Sequence, residues 1–204
     1  MKLYYSPGAC SMADHIVLEW IGKPYQTQRV SREERATPEF RKLNPAGAVP
    51  VLEHAGWTLT QNAAILNYLA DTFPEAQLGG DGTPKSRAEV NRWLAFVNAD
   101  LHPTFKPLFG ASDFLQDAAT IEKIKDHAKA TLRTLFGRAD TQLAGRNWLT
   151  GTRSIADPYL YVVLRWAKAL GIDLTGYDHL AGFFTRMEAD HAVQKVMKEE
   201  SLID

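Results

Sequence analysis

The spacing of apolar positions changes character along this chain. Near the start, apolar residues come in short bursts. Lys2–Tyr5 reads as a strand that ends in a Ser-Pro-Gly turn. Ser11–Ile21 reads as a helix, with Ala13, Ile16, Val17 and Trp20 on one face. Tyr25–Val30 predicts a second strand. Thr37-Pro38 is a helix start, with Thr as N-cap and Pro in the first turn. Val51–Glu53 and Trp57–Thr60 flank His54-Ala55-Gly56, a hairpin pattern. Gln61–Asp71 predicts a helix with Ala64, Ile65, Tyr68 and Leu69 facing inward.

A Gly-rich break, Glu75–Pro84, separates this order (βαβ, a short helix, then ββα) from a wholly helical pattern. Lys85–Leu101 carries Val90, Trp93, Leu94, Val97 and Leu101 at helical spacing. Asp117–Leu143 carries Ile121, Ile124, Ala128, Leu132, Leu135, Ala139 and Leu143. Ile155–Leu170 is strongly apolar, and shorter helices are predicted near His179–Ala189 and Val193–Glu199. No internal repeat is visible. The expected fold is α/β plus all-α: a small domain over 1–78, then a helical bundle over 84–204.

Composition narrows the function classes. The 204 residues are 45% hydrophobic and 23% charged, ordinary for a globular chain. Lys+Arg is 23 against Asp+Glu 24, so there is no basic excess of the kind a nucleic-acid binder carries. No apolar run approaches the roughly 20 residues that span a bilayer, and the N-terminus lacks a signal-peptide apolar region. The single cysteine, Cys10, makes an intramolecular disulfide impossible. Together these point to the cytoplasm. The six scattered histidines give no metal-ligand spacing, so no metal is expected.

Several segments are candidates for chemistry. Cys10 lies in the turn Ser6–Ser11, at the start of a helix, where free N–H groups and the helix dipole favour a thiolate. The other reading is a small buried hydrophobe. Asn44–Pro50 is a stiff loop. Pro50 cannot continue a central ladder, while Val49 still has its N–H and C=O to offer; a cis Val49–Pro50 bond would hold that edge open. Gln61 and Asn62 open a helix, as carboxylate ligands or as plain caps. Ser154 and Asp157 form a capping-box-like pair and read as structural. His102 ends the first long helix, before Pro103, which disfavours helix at His102. It is an acid/base or hydrogen-bonding candidate, or merely structural. Trp166, Phe105 and Phe109 either line an apolar pocket or belong to the core.

Taken together these pieces resemble the cytosolic glutathione S-transferase superfamily over essentially the whole chain. Pro7-Gly8-Ala9-Cys10, Leu101-His102 and Val163-Leu164-Arg165-Trp166-Ala167 resemble its bacterial beta class most. The resemblance implies a thioredoxin-like N-terminal domain, a helical C-terminal domain and a homodimer. It implies glutathione as co-substrate and a small hydrophobic electrophile as second substrate. It places Cys10, with Ala9 beside it, next to the glutathione sulfur, within reach of a mixed disulfide. Val49 and Pro50 lie at the cysteinyl part, Gln61 and Asn62 at the γ-glutamyl end, and Arg35 near the glycyl carboxylate. His102 approaches the sulfur from the helical domain, and the Tyr5 and Ser11 hydroxyls are further candidate donors to it. Phe105, Phe109 and Trp166 fall to the electrophile pocket. Two positions depart from the family pattern: Asn62 stands where Ser is common, and Ala95 where an Asn contact is common. Both are expected to weaken glutathione affinity rather than alter the fold. The implied activity is conjugation through a stabilised glutathione thiolate. The alternatives are thiol transfer through Cys10 and a non-catalytic partner-binding scaffold.

Overall fold

The computed structural model describes residues 1–204. Its first half contains β1 (Lys2–Tyr5), α1 (Ser11–Ile21), β2 (Gln26–Arg29), α2 (Arg32–Arg35), α3 (Pro38–Leu43), β3 (Val51–His54), β4 (Trp57–Thr60) and α4 (Asn62–Thr72). The sheet order is β2-β1-β3-β4. β1 and β2 are parallel, joined through α1, whereas β3 runs antiparallel to both β1 and β4. The β3–β4 hairpin turns on Ala55 and Gly56, both at positive φ, as a two-residue hairpin requires.

Alternation along β1 explains the layering. Leu3 and Tyr5 enter the main core on the side of α1 and α4. Tyr4 points the other way and packs with Val30, Phe40, Val49 and Val51 beneath α3. Thr37 caps α3 by accepting from the Phe40 N–H, with Pro38 in the first turn. In α4 the buried face is Ile65, Leu66, Leu69 and Ala70. Ala64 is exposed and Tyr68 half-buried, so the expected inward face is rotated by about one residue.

The second half is helical throughout: α5 (Pro84–Ala95), a π-helical turn Phe96–Leu101, α6 (His102–Thr104), α7 (Ala118–Leu143), α8 (Ala156–Ala169), α9 (Asp178–Ala189) and α10 (His191–Glu199). Contrary to expectation, the chain stays helical through His102, at φ −57° and ψ −48°. The π turn accounts for this. In a regular α-helix the Pro103 ring would meet the carbonyl four residues back; wider i to i−5 bonding, as from His102 N–H to Val97 C=O, relieves that clash.

One continuous core joins the halves. α1 is buried almost all round, from Ser11 to Leu18, because the sheet and α4 lie on one side and α8 and α10 on the other. The linker is also stitched in, with Ile155 N–H donating to the Leu78 carbonyl at 3.0 Å. Asp157 secures the start of α8. It accepts from the Leu149 N–H, the Ser154 N–H and the Ser154 hydroxyl at 2.8–2.9 Å, all inside the protein.

Candidate functional site

A cleft of about 360 Å³ opens where the two halves meet. One wall comes from the start of α1 and the loop 44–50, another from the start of α4, and the third from the π turn, α6 and α8. Cys10, Val49, Pro50, Gln61, Asn62 and His102 all line it. Asn44, Asn98, Lys106 and Tyr159 line it too, and no acidic residue does.

The loop before β3 presents backbone to the cleft. Val49–Pro50 is cis. The Asn44 side chain holds the loop, donating to the Ala48 carbonyl at 2.7 Å and accepting from the Ala46 N–H at 3.1 Å. The Val49 N–H has no partner within the protein, and its carbonyl accepts only from the Cys10 thiol, at 3.5 Å. This is an extended residue with a donor and an acceptor to offer.

At the start of α4, Gln61 has φ +73°, rare for a non-glycine residue and costing about 1–3 kcal/mol. Its side chain caps nothing, so plain capping does not explain it. Asn62 Nδ2 donates to the Cys10 carbonyl at 3.0 Å, and its Oδ1 is buried without a partner.

The Cys10 loop is held by the helical half. The Gly8 N–H donates to Glu200 Oε2 at 2.7 Å, and the Gly8 carbonyl accepts from Trp166 Nε1 at 2.8 Å. Glu200 and Glu199 also flank the buried His15 ring of α1, each at 3.0 Å. The Cys10 thiol does not become the thiolate that a helix start favours. Burial pushes it up to about 12, and the nearby Asp14 carboxyl adds to this, outweighing the Ser11 and Cys10 N–H groups. Asp14 is itself fully buried with neither oxygen partnered, so burial holds its carboxyl well above the usual range.

His102 is held by Tyr159, whose hydroxyl is 2.5 Å from Nδ1 and 3.3 Å from Asn98 Oδ1. Burial, with Lys106 nearby, lowers the ring to about 4, so it is neutral at pH 7. The Trp166 ring stands 4.8 Å from the imidazole, with Phe109 5.4 Å beyond it.

Other expected residues lie elsewhere. The Tyr5 hydroxyl turns to the Glu199 carbonyl at 3.4 Å, and Ser11 is fully buried, its hydroxyl closing the Ser6–Ser11 turn. Neither lines the cleft. Phe105 is fully buried against Phe136 and Trp166, so it supports the aromatic wall from behind. Phe109 is 56% exposed. Ala9 and Arg35 sit beside the cleft rather than in its lining, and Arg35 Nε is buried without a partner. Ala95 points to solvent, whereas Asn98, one turn nearer His102, supplies an amide to the cleft. Sequence reasoning did not find Asn98, Lys106 or Tyr159. Tyr159 sits in an apolar helical run that reads as core, and Asn98 lies in the π turn, which the apolar spacing does not predict.

The family model for the glutathione S-transferase N-terminal domain matches residues 1–71, and that for the C-terminal domain matches 93–190. The chain belongs to the glutathione S-transferase family. The transferase is 57% identical over 203 residues to glutathione S-transferase GST-4.5 of Xanthomonas campestris pv. campestris, covering 99% of this chain and 100% of the relative. It superposes on a glutathione S-transferase from Xylella fastidiosa with a TM-score of 0.97 at 52% identity, over 99% of both chains. A sphingomonad glutathione S-transferase complexed with glutathione gives 0.87 at 36% identity, over 100% of both. A bacterial beta class enzyme of Sphingomonas chungbukensis gives 0.87 at 33%, again over 100% of both. The N-terminal half is thus the thioredoxin-like part of a transferase, and the helices after Pro84 its C-terminal part.

Proposed function

We propose that the cleft binds reduced glutathione in extended form and that the transferase conjugates its sulfur to a hydrophobic electrophile. The observation that carries this reading is the free backbone of Val49 beside Cys10. A cysteinyl residue pairing with that N–H and C=O brings its sulfur between the start of α1 and His102. Gln61 and Asn62, at the N-terminus of the 11-residue helix α4, suit the γ-glutamyl carboxylate, which the exposed backbone N–H groups and the helix dipole favour. The Arg35 side chain, beside the cleft and close enough to act on the Cys10 thiol by its charge, is the cation assigned to the glycyl carboxylate. The domains on this reading are 1–78 for glutathione and 84–204 for the electrophile side.

His102 acts as a donor to the sulfur, not as its base. This role requires the tautomer with its proton on Nε2, in which the Tyr159 hydroxyl donates to Nδ1 rather than to Asn98 Oδ1. A ring that titrates near 4 is too weak a base for a thiol of ordinary pKa near 8.5, but it remains a donor through the neutral range. In the reaction the thiol proton passes to solvent. The thiolate forms a C–S bond, and the leaving group departs with its electron pair. Stabilising the thiolate raises the nucleophile population.

Thiol transfer through Cys10 requires its thiolate, which burial and Asp14 disfavour. A non-catalytic scaffold has no need of the assembled cleft. Homodimerisation, a cytoplasmic location and detoxification belong to this proposal, with family membership as their support. No helix is long and apolar enough to cross a membrane. The test is glutathione-dependent conversion of 1-chloro-2,4-dinitrobenzene. Saturation in both substrates is expected, and a rate no higher than the uncatalysed one overturns the reading.

A further inference from the structure

Lys106 is the one charged residue lining the cleft, and no carboxylate lies within ion-pair distance of it. It begins the 3-10 turn Lys106–Phe109. In a 3-10 helix, side chains three apart eclipse, so Lys106 and Phe109 stand on the same face. Phe109 carries an exposed ring that stacks on Phe105 and meets Trp166 edge-on. His102 lies one turn before Lys106. The rim of the cleft beside His102 therefore carries an unpaired ammonium on the same face of one turn as an exposed aromatic ring. That combination fits a flat ring with an anionic substituent.

We propose that Lys106 and Phe109 form a subsite for the second substrate, selecting aromatic electrophiles that carry a carboxylate. The inference rests on the conjugation reading and deepens it. The ring lies against Phe109 and Trp166, and the carboxylate meets the Lys106 ammonium at the cleft mouth. The carboxylate that Lys106 recognises has one other possible source, the glycyl end of glutathione, so both are measured.

The test compares neutral 1-chloro-2,4-dinitrobenzene with anionic 4-chloro-3,5-dinitrobenzoate in the wild type, Lys106→Met, Lys106→Glu and Phe109→Ala. In both reactions the glutathione sulfur replaces chloride, which leaves with the bonding pair. The readout is the anionic-to-neutral ratio of kcat/KM. Lys106→Met is expected to lower this ratio by roughly fivefold, the scale of an exposed ion pair, and Lys106→Glu by more. Phe109→Ala is expected to raise KM for both electrophiles. An unchanged ratio in both Lys106 variants overturns the proposal. So does a rise in KM for glutathione that is the same with either electrophile, which assigns Lys106 to the glycyl carboxylate. If the wild type converts neither compound, the conjugation reading falls and the subsite with it.

Discussion

Trp166 and Gly8 are 158 positions apart, yet the indole N–H donates to the Gly8 carbonyl at 2.8 Å. With Glu200 taking the N–H of the same residue, the helical half holds both backbone groups of the loop that leads to Cys10. Gly8 has φ +67°, and a Cβ there would meet Leu202 at 3.5 Å. The loop is thus shaped by contacts from the far end of the chain. Trp166→Phe keeps a ring but removes one anchor. It is expected to cost about 1 kcal/mol, seen as a Tm lower by about 2–4 °C for a chain of this size. It should also raise the KM for glutathione. An unchanged Tm and KM would show that the contact holds nothing.

His102 should stay neutral to well below pH 6. Its folded-state pKa is lowered to about 4 from 6.5, so the unfolded chain binds more protons between those values. Stability gained from this group is therefore complete above about pH 6.5 and is lost as pH falls toward 4. NMR titration of the ring protons is expected to show no midpoint between pH 5.5 and 8. A midpoint near 6.5 would contradict the buried, Tyr159-bonded ring.

Cys10 is expected to be a poor nucleophile in the free enzyme. Alkylation by iodoacetamide should be slow at pH 7 and still rising above pH 9, because the thiol is held near 12. Cys10→Ala should abolish any disulfide exchange while conjugation persists. A reactivity plateau below pH 8 would support thiol transfer instead.

The Ser154–Asp157 pair should govern stability rather than chemistry. Ser154→Ala is expected to cost about 1 kcal/mol, as lost caps do. Asp157→Ala should cost more, about 2–4 kcal/mol, because it leaves the buried Leu149 and Ser154 donors unpaired. Denaturant midpoints measure both, and equal losses would refute the shared role of Asp157.

Regular elements were legible wherever local periodicity decided them. β1 and α1 match their expected spans, and Thr37-Pro38 and the hairpin at Ala55-Gly56 are where turn chemistry put them. Helix faces were less legible. Ser11–Leu18 is buried all round because α1 packs on both halves, which no single-face pattern encodes. The path through His102 departs from the rule for residues before proline because the π turn relieves the clash of the Pro103 ring with the turn before it. The candidate site was legible in Cys10, Val49, Gln61, Asn62 and His102, which meet at one cleft. Tyr5 and Phe105 turn away from the cleft toward partners remote in sequence, Glu199 and the rings of Phe136 and Trp166, whereas the Ser11 hydroxyl is taken up by its own turn through Ser6. The Cys10 thiol shifts upward, not downward, because burial outweighs the helix start.

The central claim is that the cleft between α1, α4 and His102 is a glutathione site. Calorimetric titration of reduced glutathione into the freshly reduced protein tests it directly. The account predicts saturable binding of one glutathione per chain, weakened by substitution of Gln61 or Asn62. No detectable binding at millimolar glutathione would contradict it.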